Sequence, residues 1–124
     1  MSAVLKEMEA ILKNNITYEG SGKKIAYISG AITGNPAYLD QFRCAEEHLK
    51  ALGYIVLNPT TLPVGMPHER YLPINDAMIG VCDEMFLIPW WENSSGVAHE
   101  IETAKSLGRP LHELPKNLFE LEAV

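Results

Sequence analysis

The residues with most chemistry to offer lie between Cys82 and Leu111, CDEMFLIPWWENSSGVAHEIETAKSLGRPL. Ser94, Ser95 and Gly96 there precede a carboxylate, Glu100. The spacing predicts a helix over Gly96 to Leu107, closed by Gly108, with Pro110 barring its continuation. Free N–H groups at a helix start favour an anion. A phosphate over Ser94 to Val97 and the carboxylate of Glu100 could therefore face one pocket. The competing reading of the same residues is a capping serine and an ordinary solvated glutamate. His99 adjoins Glu100 but points about 100° away on a helix, which suits a surface or packing histidine. Trp90 and Trp91 offer either a stacking face for a base or packing against a sheet edge.

The elements that must position these residues follow from the hydrophobic pattern. Met85 to Pro89 is a short apolar run that reads as a buried strand. Strand, small-residue turn and helix make half of a βαβ unit, and such units bind ligands at the carboxyl ends of their strands. Upstream, Ile25 to Ser29 reads as the first core strand. It runs into Gly30-Ala31-Ile32-Thr33-Gly34-Asn35, whose glycines permit close backbone approach to a ligand. This turn is neither GxGxxG nor GxxxxGK. Asn35 can cap the next helix and Pro36 suits its first position. That helix carries Leu39, Phe42, Ala45, Leu49 and Leu52 on one face and ends at Gly53. Tyr54 to Leu57 is the second strand, leading into Asn58-Pro59. Thr60 to Pro73 is long for a connection and reads as a lid or binding loop offering His68, Glu69, Arg70 and Tyr71. A helix over about Ile74 to Val81 follows, with Ile74, Ala77, Met78 and Val81 as its buried face.

Strands separated by helices imply a parallel sheet with right-handed crossovers. The expected fold is a small Rossmann-like three-layer α/β/α domain of about four strands, order 2-1-3-4. One rim of that sheet collects strand carboxyl ends and helix amino ends. It would gather Ser29 to Asn35, Asn58, Asn75-Asp76 and Trp90 to Glu100. Asp83 falls on the opposite rim and is assigned a structural role. Residues 1–23 form an N-terminal amphipathic helix (Val4, Leu5, Met8, Ile11, Leu12) and a connector, docked on the domain or on a partner chain. Residues 24–124 form the α/β domain. Its tail, with Leu114, Leu118, Phe119 and Leu121, would cover the sheet edge or a partner.

Composition limits the partners. The 124 residues suit one domain with a real core, and 47% apolar content argues against general disorder. A net charge of −6 argues against a basic face for duplex nucleic acid but leaves room for a local mononucleotide pocket. No apolar run reaches the roughly 18 residues of a membrane span. Cys44 and Cys82 have no metal or redox spacing. Together with the charged N-terminal segment, they suggest reduced thiols in a cytoplasmic protein.

Several of these residues carry a resemblance. Ile25-Ala26-Tyr27-Ile28-Ser29-Gly30-Ala31-Ile32-Thr33-Gly34 resembles the first strand and turn of the nucleoside 2-deoxyribosyltransferase superfamily. Ser94-Ser95-Gly96-Val97-Ala98-His99-Glu100 resembles its nucleophile motif. The match is similar in spirit to the 2′-deoxynucleoside 5′-phosphate N-hydrolases, whose turn of that shape holds the 5′-phosphate. With Asn58-Pro59, Cys82-Asp83 and Pro89 to Glu92, the pattern resembles a little-characterised bacterial and phage branch. The resemblance covers about Lys24 to Leu111.

It implies cleavage of an N-glycosidic bond in a nucleoside or its 5′-monophosphate. Glu100 would attack or electrostatically support C1′ as the base leaves, and Tyr27 would orient it. Ser29, Gly30, Ile32, Thr33, Gly34, Asn35, Asn58, Trp91, Ser94, Ser95 and Gly96 would line the substrate sites. No metal or redox cofactor is implied, and related enzymes assemble as homo-oligomers. One position departs from the family pattern. The enzymes carry an aspartate acid near the start of the helix before Cys82-Asp83. The family spacing lands on Asn75, with Asp76 one residue late. An amide cannot donate a proton as an acid does. Two function classes follow: an N-glycosidase or deoxyribosyltransferase, and a nucleotide-binding module that senses or sequesters without turnover.

Overall fold

The computed structural model of the chain describes residues 22–120 together with Lys6 and Met8. Lys6 and Met8 are helical and exposed, but the rest of the expected N-terminal helix, and Leu121 of the tail, lie outside the described residues. Four parallel strands form one sheet: β1 (Ile25–Ser29), β2 (Ile55–Leu57), β3 (Glu84–Leu87) and β4 (Leu111–Glu113). Their order is β2-β1-β3-β4, as the alternation of elements predicts. Three helices connect them: α1 (Tyr38–Ala51), α2 (His68–Val81) and α3 (Ser95–Ser106). No described helix is long and apolar enough to cross a membrane.

Strand parity divides the core in two, because successive side chains point to opposite faces of a sheet. Ala26, Ile28, Phe86 and Ile88 face α1, where Phe42, Ala45 and Leu49 pack on them. Tyr27, Met85 and Leu87 face α2 and α3, meeting Ile79, Cys82, Val97 and Ala104. The tail closes the α1 side. Leu114 is buried there, Leu118 and Phe119 pack against the cluster, and Lys116–Leu118 forms a single 3₁₀ turn. At the foot of the sheet Ile25 and Asp83 lock together. The Ile25 N–H donates to Asp83 Oδ2 at 2.7 Å, and the Asp83 N–H donates to the Ile25 carbonyl at 2.8 Å. Asp83 thus has the structural place expected of it.

The helices differ from expectation in their starts and faces. Helix α1 begins at Tyr38, so Pro36 is outside it. The Asn35 side chain accepts from the Ala37 N–H at 3.2 Å and donates to the Ala31 carbonyl at 2.9 Å, closing the preceding turn instead of capping the helix. Leu39 and Leu52 are exposed at the two ends of the expected stripe. The larger correction concerns α2. It starts at His68, six residues before the expected Ile74, and carries Pro73 inside its first two turns. Pro73 has no N–H to give the Glu69 carbonyl four residues back, so the helix runs on with one intrahelical hydrogen bond missing near its start. The expected lid shrinks to Leu62–Pro67 between a 3₁₀ turn at Pro59–Thr61 and the helix.

Helix α2 is also rotated relative to expectation. Ile74, Ala77 and Val81 point outward, while Leu72, Asn75, Met78, Ile79 and Cys82 turn toward the sheet and its rim. The residues at i, i+4 and i+7 from Asn75 form the inner face. Because Ile79 is fully buried and Val81 is 61% exposed, the two positions test this phase. Ile79→Ala is expected to destabilise the protein by about 2–5 kcal/mol. Val81→Ala should stay within about 0.5 kcal/mol. Urea titration of both variants reads the difference, and the reverse ranking would mean that α2 packs in the phase first expected.

Candidate functional site

The site is built on one carboxylate placed where apolar packing is expected. Helix α3 buries Val97 and Ala104 against the sheet, and Glu100 lies between them on the same stripe, at i+3 and i−4. On β1, Tyr27 and Ser29 are two residues apart and share the face beneath α3. The Tyr27 hydroxyl donates to Glu100 Oε2 at 2.8 Å, and the Ser29 hydroxyl donates to Oε1 at 2.6 Å. Each carboxylate oxygen therefore has its own donor, which fixes the plane of the group.

Electrostatics follow from that burial. Desolvation pushes the Glu100 carboxyl above its ordinary value, and the hydrogen bonds from Ser29 and Tyr27 only partly offset it. Burial, and then the neighbouring Glu100 carboxylate, push the Tyr27 phenol strongly upward. The phenol is therefore protonated and serves as a donor.

Asn75 enters from α2. Its Nδ2 lies 3.5 Å from Glu100 Oε2, at the outer limit of a hydrogen bond. Its Oδ1 is buried and has no partner. Asp76 turns the other way, with Oδ1 3.1 Å from Nε2 of His99 on the exposed flank of α3. The residue facing Glu100 is thus Asn75. Both sit in the second turn of α2 and not at its start, so they reach the rim because α2 rises past it.

A cleft of about 520 Å³ opens over these groups, the size of a small-molecule site. Gly30, Ile32 and Thr33 line it from the first turn, and Ser94, Ser95 and Gly96 from the α3 start. Pro59, Leu62, Pro63, Val64 and Met66 line it from the shortened loop, with Tyr38 and Phe42 from α1 and His68, Tyr71, Leu72 and Asn75 from α2. Glu100 lies in its wall. A neighbouring cavity of about 500 Å³ joins Ala31, Thr33, Gly34 and Asn35 to Trp90, Asn93 and Ser94. The two small-residue turns expected to converge on a ligand do border common space. Gly30 must lack a side chain: a Cβ there would lie 3.0 Å from Ile88 Cδ1 and 3.2 Å from Phe42 Cε2. The turn lies directly on the core, which leaves the room above it open. At α3, the Ser94 hydroxyl accepts from the Val97 N–H at 3.2 Å, the expected cap.

Three expected lining residues border neither cavity: Ser29, which is fully buried and bonded to Glu100, Asn58 and Trp91. Asn58 is buried outside both cavities. Its side chain accepts from the Thr60 N–H at 2.9 Å and donates to Glu46 Oε1 at 2.9 Å, which makes it a cap for the 3₁₀ turn. Trp91 packs against the second core cluster and donates from Nε1 to Glu113 at 2.7 Å. Trp90 borders the smaller cavity instead. It holds a φ of +70°, a conformation that bulky residues rarely adopt and that carries roughly 1–3 kcal/mol of strain. Both tryptophans were expected as a stacking face or as packing, with Trp91 the one expected to line the site; Trp90 borders the cavity and Trp91 packs on the core, a choice that nothing in a Trp-Trp pair decides. The stretch from Leu62 to Met66, expected as part of a lid or binding loop with polar contacts from His68 to Tyr71, instead supplies an apolar wall.

The comparisons with known proteins agree with this geometry. Residues 24–113 match a family described only as a domain of unknown function, DUF4406. The chain belongs to the DUF4406 family. No curated protein matches it. Among solved structures, this DUF4406 chain is similar to a 2-desoxiribosyltransferase from Leishmania mexicana, with 25% identity and a TM-score of 0.54. The match covers 73% of this chain and 63% of that one, so the chain spans less than two thirds of that protein's length. The fold of the DUF4406 chain is accordingly nucleoside 2-deoxyribosyltransferase-like.

Burial of Glu100 links the site to stability. Its pKa is higher folded than unfolded, so ionisation opposes folding. The contribution is favourable below the ordinary carboxylate range and is lost as pH rises through the raised folded value. Glu100→Gln removes that loss. The variant is expected to melt above wild type at about pH 8, with the gain shrinking toward about pH 4. Paired thermal melts across that range check the sign. A variant that melts lower at high pH would mean that the hydrogen bonds to the anion outweigh its desolvation.

Proposed function

We propose that this protein cleaves the N-glycosidic bond of a nucleoside or its 5′-monophosphate, with Glu100 as the nucleophile. The observation that carries the reading is the Glu100 carboxylate itself. It is partly buried on an apolar stripe, oriented by Tyr27 and Ser29, and borders an open cleft. Its hydrogen-bond partners among the described residues are the hydroxyls of Tyr27 and Ser29 and the amide of Asn75, with no lysine or arginine among them. A weakly basic anion held in this way can form a glycosyl ester at C1′ as the base departs and then release it to an acceptor. Water as acceptor makes the protein a hydrolase; a second base makes it a transferase. The similarity to a solved 2-desoxiribosyltransferase supports the same reaction class.

The test is a panel of deoxynucleosides and their monophosphates, with free base read by chromatography. Glu100→Gln is expected to abolish base release while ligand affinity stays within about tenfold, or about 1.4 kcal/mol. Turnover retained in the variant would move the chemistry to another residue. The second reading, a module that binds a nucleotide without turnover, is favoured by one observation: the side chain facing Glu100 from α2 is an amide and not an acid. Tight binding with no base released from any member of the panel would decide for it.

A further inference from the structure

Cleaving an ordinary nucleoside expels the base as an anion unless a group on the protein gives it a proton. The described part of the cleft has no such group beside Glu100. Asn75 occupies the facing position, and its amide has no proton of useful acidity to give. Asp76 is directed at His99 on the exposed flank. The Tyr27 phenol is committed to Glu100. The Tyr71 hydroxyl donates to the Pro63 carbonyl at 2.6 Å and accepts from the Met66 N–H at 3.2 Å. His68 lines the cleft but lies in the exposed first turn of α2, seven residues from Asn75. That separation is about 10 Å along the helix.

The same wall is suited to positive charge. Among the described residues no lysine or arginine lines the cleft, whereas Tyr38, Phe42 and Tyr71 do. Aromatic faces and a carboxylate both attract a cation. The buried Oδ1 of Asn75 lacks a donor, and the ligand can supply one.

From this arrangement we infer that the preferred substrate is a nucleoside whose base is already cationic, as in N-alkylated purine or pyridinium nucleosides, and carries an N–H group for Asn75 Oδ1. The inference rests on the N-glycosidase reading above and narrows its substrate class. The step balances without an acid. The C1′–N bond breaks with both electrons passing to the ring, which discharges the cation, and the base leaves neutral. A Glu100 oxygen bonds to C1′ in its place. Water then opens the ester, its oxygen going to C1′ and its proton to solvent, and the carboxylate is restored.

The experiment compares two matched pairs on the intact protein: 7-methyl-2′-deoxyguanosine with 2′-deoxyguanosine, and 7-methylguanosine with guanosine. Spontaneous release is subtracted in each case. Wild type is expected to release the methylated base at least about 10²-fold faster than its parent, the lower range of what general acid help supplies. Asn75→Asp should narrow that ratio by raising turnover of the parent. His68→Gln should leave the ratio unaltered. Nicotinamide riboside, whose leaving base is a neutral pyridine, should be turned over in wild type. Similar rates for methylated and parent nucleosides would overturn the inference and leave the N-glycosidase reading standing. So would a ratio that Asn75→Asp does not move, or a loss of parent turnover in His68→Gln that identifies the histidine as the acid. No base released from any of these nucleosides, or from the panel above, would overturn both readings together.

Discussion

The structure depends on one awkward burial: an ionisable carboxylate in the stripe of α3 that elsewhere carries Val97 and Ala104. An uncompensated charge there would be intolerable, and a leucine would pack better. Three features make it tolerable. Each oxygen receives a hydroxyl hydrogen bond from β1. The raised pKa lessens the free-energy gap between charged and neutral forms. The cleft keeps one side of the group close to solvent. An anion only partly compensated on this stripe costs stability, a cost that the proposed chemistry at Glu100 would account for.

Much of the remaining architecture can be derived from the need to bring β1 under α3. The parallel register of β1 and β3 pairs Ser29 with Leu87, so both strands end at the same rim. The chain then leaves β3 through Ile88 and Pro89, and the strained Trp90 turns it back over the sheet into α3. Because Tyr27 and Ser29 share a strand face, a single-residue slip of β1 would send both hydroxyls to the α1 side. The lock between Ile25 and Asp83 opposes such a slip at the other end of the strand. A structural aspartate on the lower rim thus helps to fix the placement of Tyr27 and Ser29 beside Glu100 on the upper one.

How legible this was depended on how much local pattern each element carried. β1, the sheet order and α3 were read directly, since an apolar run, alternating elements and a Ser cap with a closing glycine are local signals. Glu100 stood out by its spacing behind Ser94 to Gly96; the pairing of Tyr27 with it was implied by the family resemblance, and Ser29, expected to line the substrate site, proves to be its second donor. Helix α2 was misplaced because Pro73 looks like a boundary, although in a second turn it removes little. The error in its start carried an error in its face. Ile74, Ala77 and Val81 make a plausible apolar stripe, and only the packing of Ile79 and Cys82 against β1 and β3 selects the other one. Asn58 looked like a rim residue by topology, but its amide was consumed by the turn it begins. The cap required tertiary knowledge of Glu46, which no spacing supplies.

The rotation of α2 has an electrostatic consequence. It brings Asn75, and not Asp76, within 3.5 Å of Glu100. A carboxylate in that place would put two like charges at contact distance. At an effective dielectric of about 20, their repulsion is on the order of 4–5 kcal/mol, enough to keep one proton on the pair at neutral pH. That shared proton is how two neighbouring carboxyls divide into an acid and a nucleophile. With an amide the division cannot occur. Glu100 has no carboxyl partner in contact, and Asp76 acts on it only from a distance, raising its pKa as the smallest of the causes. On the proposed N-glycosidase reading, the site has the carboxylate that would attack carbon and no carboxyl facing it to serve the leaving base. The amide also brings something a carboxylate could not. Its nitrogen leans on Glu100 while its oxygen stays buried without a donor, a neutral acceptor that adds no charge beside the carboxylate.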